Sequence, residues 1–309
     1  MPLVPAAAAT QGGVFTFRQA LAAGTSESGI RAALADDRWQ RVLHGVYAPG
    51  PASLLQLAWA ARLRCPRAVI SHASAADLMG FGIRTDRRVH VIVPPGTRMR
   101  GGPQVVVHRL QLASGDVAYR AGLPLTSPIR TLMDLAREWE LPDAVAAADA
   151  ALGQRRCSRE ELLAAVEVLR GVGAPRARTA IGLARVGAQS PQETRLRLLC
   201  REAGLPEPTL QLRVILPDGR SAFLDLGWRR AMAGLDFDGR EPHLLAQTFV
   251  ADRRRHNALQ AAHFDVRIVT GTDLRRRADT CVQEWRAMLG ERWGCGPADG
   301  REWSDIVFS

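Results

Sequence analysis

The segment FLDLGWRRAMAGLDFDG, Phe223 to Gly239, sets the strongest constraint on the fold. It places Asp225, Asp236 and Asp238 inside two runs that otherwise carry the large apolar residues of buried β-strands. A carboxylate among such neighbours is costly unless it is paired or holds a metal ion. The fold must therefore bring these acids to a cation or to a hydrogen-bonding network. Side chains two apart share one face of a strand, so Asp236 and Asp238 are expected on the same side.

The surrounding pattern gives these strands a context. SPQETRLRLLCREAG reads as a helix with Leu196, Leu199, Cys200 and Ala203 along one face and Gly204 as its stop. TLQLRVIL and SAFLDLGW flank the turn PDGR and read as an antiparallel hairpin. A third strand, about 231–237, leads into DFDG. HLLAQTFVADRRRHNALQAA then reads as a helix, FDVRIVT as a strand and TDLRRRADTCVQEWRAML as one closing helix. The order is α-β-β-β-α-β-α. Within it, Gly234 stands where a β-branched residue packs better. Glu193 follows Ser190 by three, which suits a capping box as well as a metal site.

At 309 residues the chain has the length of two or three domains. Its 47% hydrophobic and 23% charged residues are those of a globular protein, and no apolar run reaches the ~18 residues of a membrane span. The N-terminal MPLVPAAAAT lacks a basic region and reads as a frayed terminus. A net charge of +10 points to a polyanionic partner, most simply DNA. All 41 basic residues are arginine, a bias that codon usage in a GC-rich genome also produces. Whatever its cause, no lysine is available for catalysis. Five scattered cysteines without C-x-x-C spacing argue against a disulfide framework or a zinc site and for a reducing cytoplasm.

Residues 1–50 read as a small helical module closed by a hairpin. FTFRQALAAG is a short helix ending at Gly24, and TSESGIRAALADD a second with Ile30, Ala33 and Leu34 on one face. Two β-like runs, 39–43 and 46–48, bend at Gly45. This is the order of a winged helix-turn-helix. In that reading Ser26, Ser28 and Arg31 lie at the start of the helix that enters the major groove, and Arg38 and Arg41 flank the wing near phosphates. A helical lid that only supports packing has the same order.

Residues 51–188 form an α+β module. SLLQLAWAARLRCP and SHASAADLMG read as helices, and RVHVIVPP and QVVVHRL as strands. GLPLTSPIRTLMDLAREW is a strand followed by a helix with Ser127 as N-cap and Pro128 at its first position. Further helices are expected at about 142–153, 159–170 and 175–187. His72, His90 and His108 are isolated in sequence and read as structural. Residues 189–290 make a third segment, and 291–309 an irregular tail.

The order RVLHGVYAPG, SHASAADLMGFG, HVIVPP, GLPLTSPIRTLMDLA over roughly 5–150 resembles actinobacterial proteins with an N-terminal AbiEi-type (type IV toxin–antitoxin) antitoxin domain. That resemblance implies a DNA-binding winged helix, an antitoxin-like module and possible pairing with a cognate toxin. SPQETRLR, DLGW, DFDGREPH and DRRRHNAL, over about 188–290, are similar to Vsr-related endonuclease domains of the PD-(D/E)XK class. This second resemblance implies a restriction-endonuclease-like core with Glu193, Asp225, Asp236 and Asp238 as the acidic site. Asp225 and Asp236 would hold Mg²⁺ or Mn²⁺, for which oxygen ligands are suited. His243 would serve as general acid/base, and Arg253, Arg254, Arg255 and Asn257 would face the acids or the DNA backbone. The family's third strand ends in a glutamate-containing E-x-D-G, where this chain has the shorter Asp236. The expectation is a cytoplasmic DNA-binding protein with a Mg²⁺-dependent endonuclease-like domain. The alternative is a non-catalytic antitoxin-type regulator whose nuclease fold only binds DNA or a toxin.

Overall fold

The computed structural model describes residues 4–83, 86–239 and 246–292. The chain divides into two units, Met1–Ala184 and Arg185–Ser309.

The first unit begins with a 3-10 helix at Ala6–Thr10, where the sequence suggested a frayed end. Ala8 is buried beside Phe15, Ile30 and Trp39, so apolar packing holds this segment in place. Strand β1 (Phe15–Thr16), helices α1 (Phe17–Ala22) and α2 (Glu27–Ala35), and strands β2 (Gln40–Leu43) and β3 (Val46–Ala48) follow. The three strands form an antiparallel sheet in the order β1-β3-β2. Thr16 and Gln19 make a reciprocal capping box at α1, and the Ser26 hydroxyl accepts the Gly29 N–H to start α2. Phe15 meets Trp39 edge-on at 4.7 Å in the small core beneath.

The rest of this unit is built from α3 (Leu54–Arg64), β4 (Val69–Ile70), α4 (His72–Met79), β5 (Val89–Val93), β6 (Val105–Arg109), β7 (Val117–Arg120), β8 (Leu123–Thr126), α5 (Pro128–Glu138), α6 (Leu141–Gly153), α7 (Arg159–Glu167) and α8 (Ala174–Leu183). The sheet order is β6-β5-β4-β8-β7, with β5–β6 and β4–β8 parallel. Strands β4 and β7 are too short or too polar to stand out in the sequence. Ser127 caps α5, and Ser158 with Glu161 closes the capping box at α7, as their spacing predicts.

The second unit runs α9 (Pro191–Glu202), β9 (Thr209–Ile215), β10 (Ser221–Trp228), β11 (Ala233–Asp238), α10 (Ala246–Ala261), β12 (Asp265–Thr270), α11 (Gly271–Arg276) and α12 (Ala278–Arg292). The closing helix expected as one piece is two, because Thr270 and Asp273 cap a separate short helix that ends at Arg276, with Arg277 as its C-cap. The sheet order is β12-β11-β10-β9, antiparallel except for the β11–β12 pair. Two apolar cores form around it. One gathers Leu196 and Cys200 of α9, Leu226, Trp228 and Leu235 of the sheet, and Trp285 and Leu289 of α12. The other gathers Leu212, Val214, Leu224, Val266 and Leu259 of α10.

Leu224 and Leu226 therefore belong to different cores although residues two apart share a face in a regular strand. The alternation of β10 changes phase at Asp225. Strand β9 does the same at its neighbour Gln211, whose φ of 49° lies in the left-handed region. Gly234 is explained by this shift. A Cβ there would stand 2.6 Å from Leu224 Cδ1 and 3.0 Å from the Leu226 carbonyl oxygen. The β-branched residue that strand statistics favour does not fit.

Candidate functional site

The acids lie where the ladders on both sides of β10 are interrupted. Leu226 pairs with Leu235, so one further step sets Asp225 opposite Asp236. There the carboxylates replace the ladder. The Asp225 N–H donates to Asp236 Oδ1 at 3.2 Å, and the Phe237 N–H donates to Asp225 Oδ2 at 2.8 Å. Like charges directly opposite each other destabilise a sheet. These two are held by backbone donors that a regular ladder would have used.

On the other edge, Gln211 faces Asp225 between the Leu224–Leu212 and Leu226–Leu210 pairs. Its amide Nε2 donates to Asp225 Oδ1 at 3.1 Å and to Glu193 Oε2 at 3.2 Å. Glu193 is buried at the start of α9. Its N–H donates to the Ser190 hydroxyl oxygen, while its carboxylate accepts the Gln189 N–H at 2.8 Å. The capping role and the site role thus coexist in one side chain. Burial, and secondarily Asp225, pushes the Glu193 carboxyl above its ordinary range. Burial pushes Asp225 upward too, with Asp236 adding to it.

Asp225, Asp236 and Asp238 open on a cleft of about 270 Å³ that Phe237, Arg255, His256 and Ile268 complete. Arg255 Nη1 sits 2.6 Å from Asp236 Oδ2, and its Nη2 donates to the Phe223 carbonyl. Of the basic stretch on α10, Arg255 is the residue turned to the acids; Arg253, Arg254 and Asn257 are exposed. His243 lies outside the described residues. Gln211 and His256 were not selected from the sequence. Gln211 carried a signal, a polar residue in an apolar strand in register with Asp225. His256 stood inside DRRRHNAL beside the arginines that were chosen.

Hard oxygen donors on adjacent strands, opening on a polar cleft, suit Mg²⁺ or Mn²⁺. They do not form a closed cage. Among the described residues, the acids supply no group of three whose ligand atoms all lie within 4.8 Å of one another, whereas His72, His90 and His108 do. The reading of these histidines as isolated is corrected: strands β5 and β6 and the start of α4 bring them together.

In the first unit Ser26, Ser28, Arg31, Arg38 and Arg41 are all exposed. Ser26 is engaged in capping α2 and lies 2.9 Å from the Ser28 hydroxyl. Arg38 is paired with Asp36 at 2.7 Å. Arg31 and Arg41 project from α2 and β2.

Residues 3–50 match the family model described as "Transcriptional regulator, AbiEi antitoxin", and residues 67–183 match "AbiEi antitoxin C-terminal domain". Uncharacterized protein Rv2248 of Mycobacterium tuberculosis (strain ATCC 25618 / H37Rv) is 32% identical over 243 residues, covering 76% of this chain and 87% of the relative. The chain belongs to the AbiEi antitoxin family. Uncharacterized protein MT2308 of M. tuberculosis (strain CDC 1551 / Oshkosh) matches to the same extent. Both AbiEi matches fall in the first unit, the first containing α2 with its exposed arginine and the second the three histidines. The carboxylates lie in the second unit. No described helix is long and apolar enough to cross a membrane.

Proposed function

We propose that this AbiEi-family protein binds DNA through its first 50 residues and cuts a phosphodiester with the carboxylate site of its second unit. The observation that carries the second part is the Asp225–Asp236 pair, two like charges opposed across a broken ladder and opening on a cleft with Arg255 and His256. The order α9-β9-β10-β11-α10-β12-α11-α12 supports a Vsr-related core around it. The 3-10 helix, β1, α1, α2, β2, β3 order, with β1 paired to β3, supports a winged helix in which α2 reads DNA and the β2–β3 hairpin meets the backbone.

In this mechanism Asp225 and Asp236 would hold Mg²⁺ or Mn²⁺, which supplies polarisation of the phosphate and activation of water. Arg255 leaves Asp236 for a phosphate oxygen and offsets the charge that grows in the transition state. Glu193, with its raised proton affinity, takes up the proton released on attack, and Gln211 keeps Glu193 and Asp225 in register. His256 offers a ring nitrogen to the leaving oxygen. The test is nicking of supercoiled plasmid in Mg²⁺ or Mn²⁺, lost in Asp225→Ala.

One observation favours a second reading. The 2.6 Å Arg255–Asp236 pair supplies a cation from within the chain. A regulator that keeps the nuclease fold only to bind DNA or a cognate toxin needs nothing more. That reading requires promoter affinity that depends on residues 1–50 and is indifferent to chelator and to Asp225→Ala.

A further inference from the structure

We infer that His72, His90 and His108 form a binding site for a divalent transition metal, Zn²⁺ by ligand chemistry, in the first unit. His90 and His108 sit on the adjacent parallel strands β5 and β6, where the register sets His108 opposite Ile92 and so two positions along from His90. The even spacing puts both imidazoles on one face of the sheet. The start of α4 lays the buried His72 ring over that of His108, with centroids 3.7 Å apart. One ligand nitrogen from each ring lies within 4.8 Å of the others.

One nitrogen pair already stands at the spacing such an ion needs, and the His72 ring must turn out of its stack on His108 for both to ligate it. With Zn–N bonds of ~2.0–2.1 Å, tetrahedral ligand atoms are about 3.3 Å apart. His90 Nδ1 and His108 Nε2 stand at 3.2 Å. His72 Nε2 lies 3.4 Å from Glu138 Oε1 at the end of α5, a carboxylate outside the group of three ligand atoms. The outer nitrogens are held in the manner usual for metal-bound histidine. His72 Nδ1 is 3.0 Å from the Ser71 hydroxyl, and His90 Nε2 is 3.3 Å from Asp86 Oδ2.

A further observation points the same way. His72 has a φ of 50°, a left-handed conformation that is strained for a residue with a Cβ and recurs at functional positions. The cysteine pattern gave no sign of zinc, because the donors here are nitrogens spread along the chain from His72 to His108 and joined only by the fold.

The test uses the untagged full-length protein, chelator-stripped and titrated with Co²⁺, whose ligand-field bands in the visible report tetrahedral nitrogen coordination. One equivalent is expected to bind with these bands, with loss of at least about 100-fold in affinity in His108→Gln and in His90→Gln, and about 10-fold in Asp86→Asn. Asp225→Asn is expected to leave the signal unchanged, which separates this site from the carboxylates of the second unit. X-ray absorption of the Zn²⁺-loaded wild-type protein should show imidazole scattering, a readout independent of whether any variant folds. Absence of imidazole scattering, or a Co²⁺ spectrum unaffected in folded His108→Gln, overturns the assignment and leaves a stacked histidine cluster.

Discussion

Asp225 and Asp236 face each other across β10 and β11, and each carboxylate accepts a backbone N–H of the opposite strand. This reciprocal exchange fixes both acids at the one place where β10 passes from one core to the other. The arrangement opposes two charges that a structural sheet would separate, and it directs them to a cleft.

The cost of that arrangement predicts a pH dependence of stability. The Glu193 carboxyl titrates above its ordinary 4.5 in the folded protein because burial disfavours the charged form. The folded state therefore binds the proton more tightly than the unfolded chain, and stability falls as pH rises from about 4.5 through the folded value. Glu193→Gln removes the penalty while keeping an acceptor for the Gln189 N–H. It is expected to raise Tm near neutral pH by about 2–4 °C and to leave it unchanged near pH 4, as followed by circular dichroism.

Gly234→Val should destabilise by about 2 kcal/mol, since the new Cβ meets the Leu226 carbonyl as well as the movable Leu224 side chain. Urea unfolding at unchanged slope measures it. A neutral result would mean that the phase shift in β10 is not needed by the fold.

For the first unit, Arg31→Ala and Arg41→Ala should each weaken DNA binding and reduce the salt slope by about 1, as for a lost phosphate contact. Arg38→Ala should do less, because its guanidinium is already paired with Asp36. Fluorescence anisotropy across a salt series distinguishes them.

Arg255→Met removes the internal cation beside Asp236. If the acids are a metal site, divalent-cation affinity rises by about tenfold, or about 1.4 kcal/mol, while cleavage falls. If Arg255 is the only cation the site uses, the variant loses stability and calorimetry shows no gain in Mn²⁺ binding.

Much of this was legible from residue order. Hydrophobic period and caps placed α2, α5, α7, α9 and the strands β9 to β12, and the acids among those strands marked the cleft. Three things were not legible. Strand phase was hidden because FLDLGW alternates as if regular, while the shift arises from a left-handed Gln211 on the neighbouring strand. Gly234 looked like a weak point in a strand because the Leu224 side chain that fills its place comes from across the sheet. The histidines looked unrelated because parallel pairing of β5 and β6, which joins residues 18 apart, leaves no local spacing signal.

The most direct measurement is cleavage and binding on the same supercoiled DNA in Mn²⁺, comparing wild type with Asp225→Asn and with chelator. The account predicts that wild type nicks, that Asp225→Asn and chelator abolish nicking by at least 100-fold, and that DNA affinity is retained throughout. Wild-type protein that binds the DNA but leaves it intact in Mg²⁺ and Mn²⁺ would contradict it.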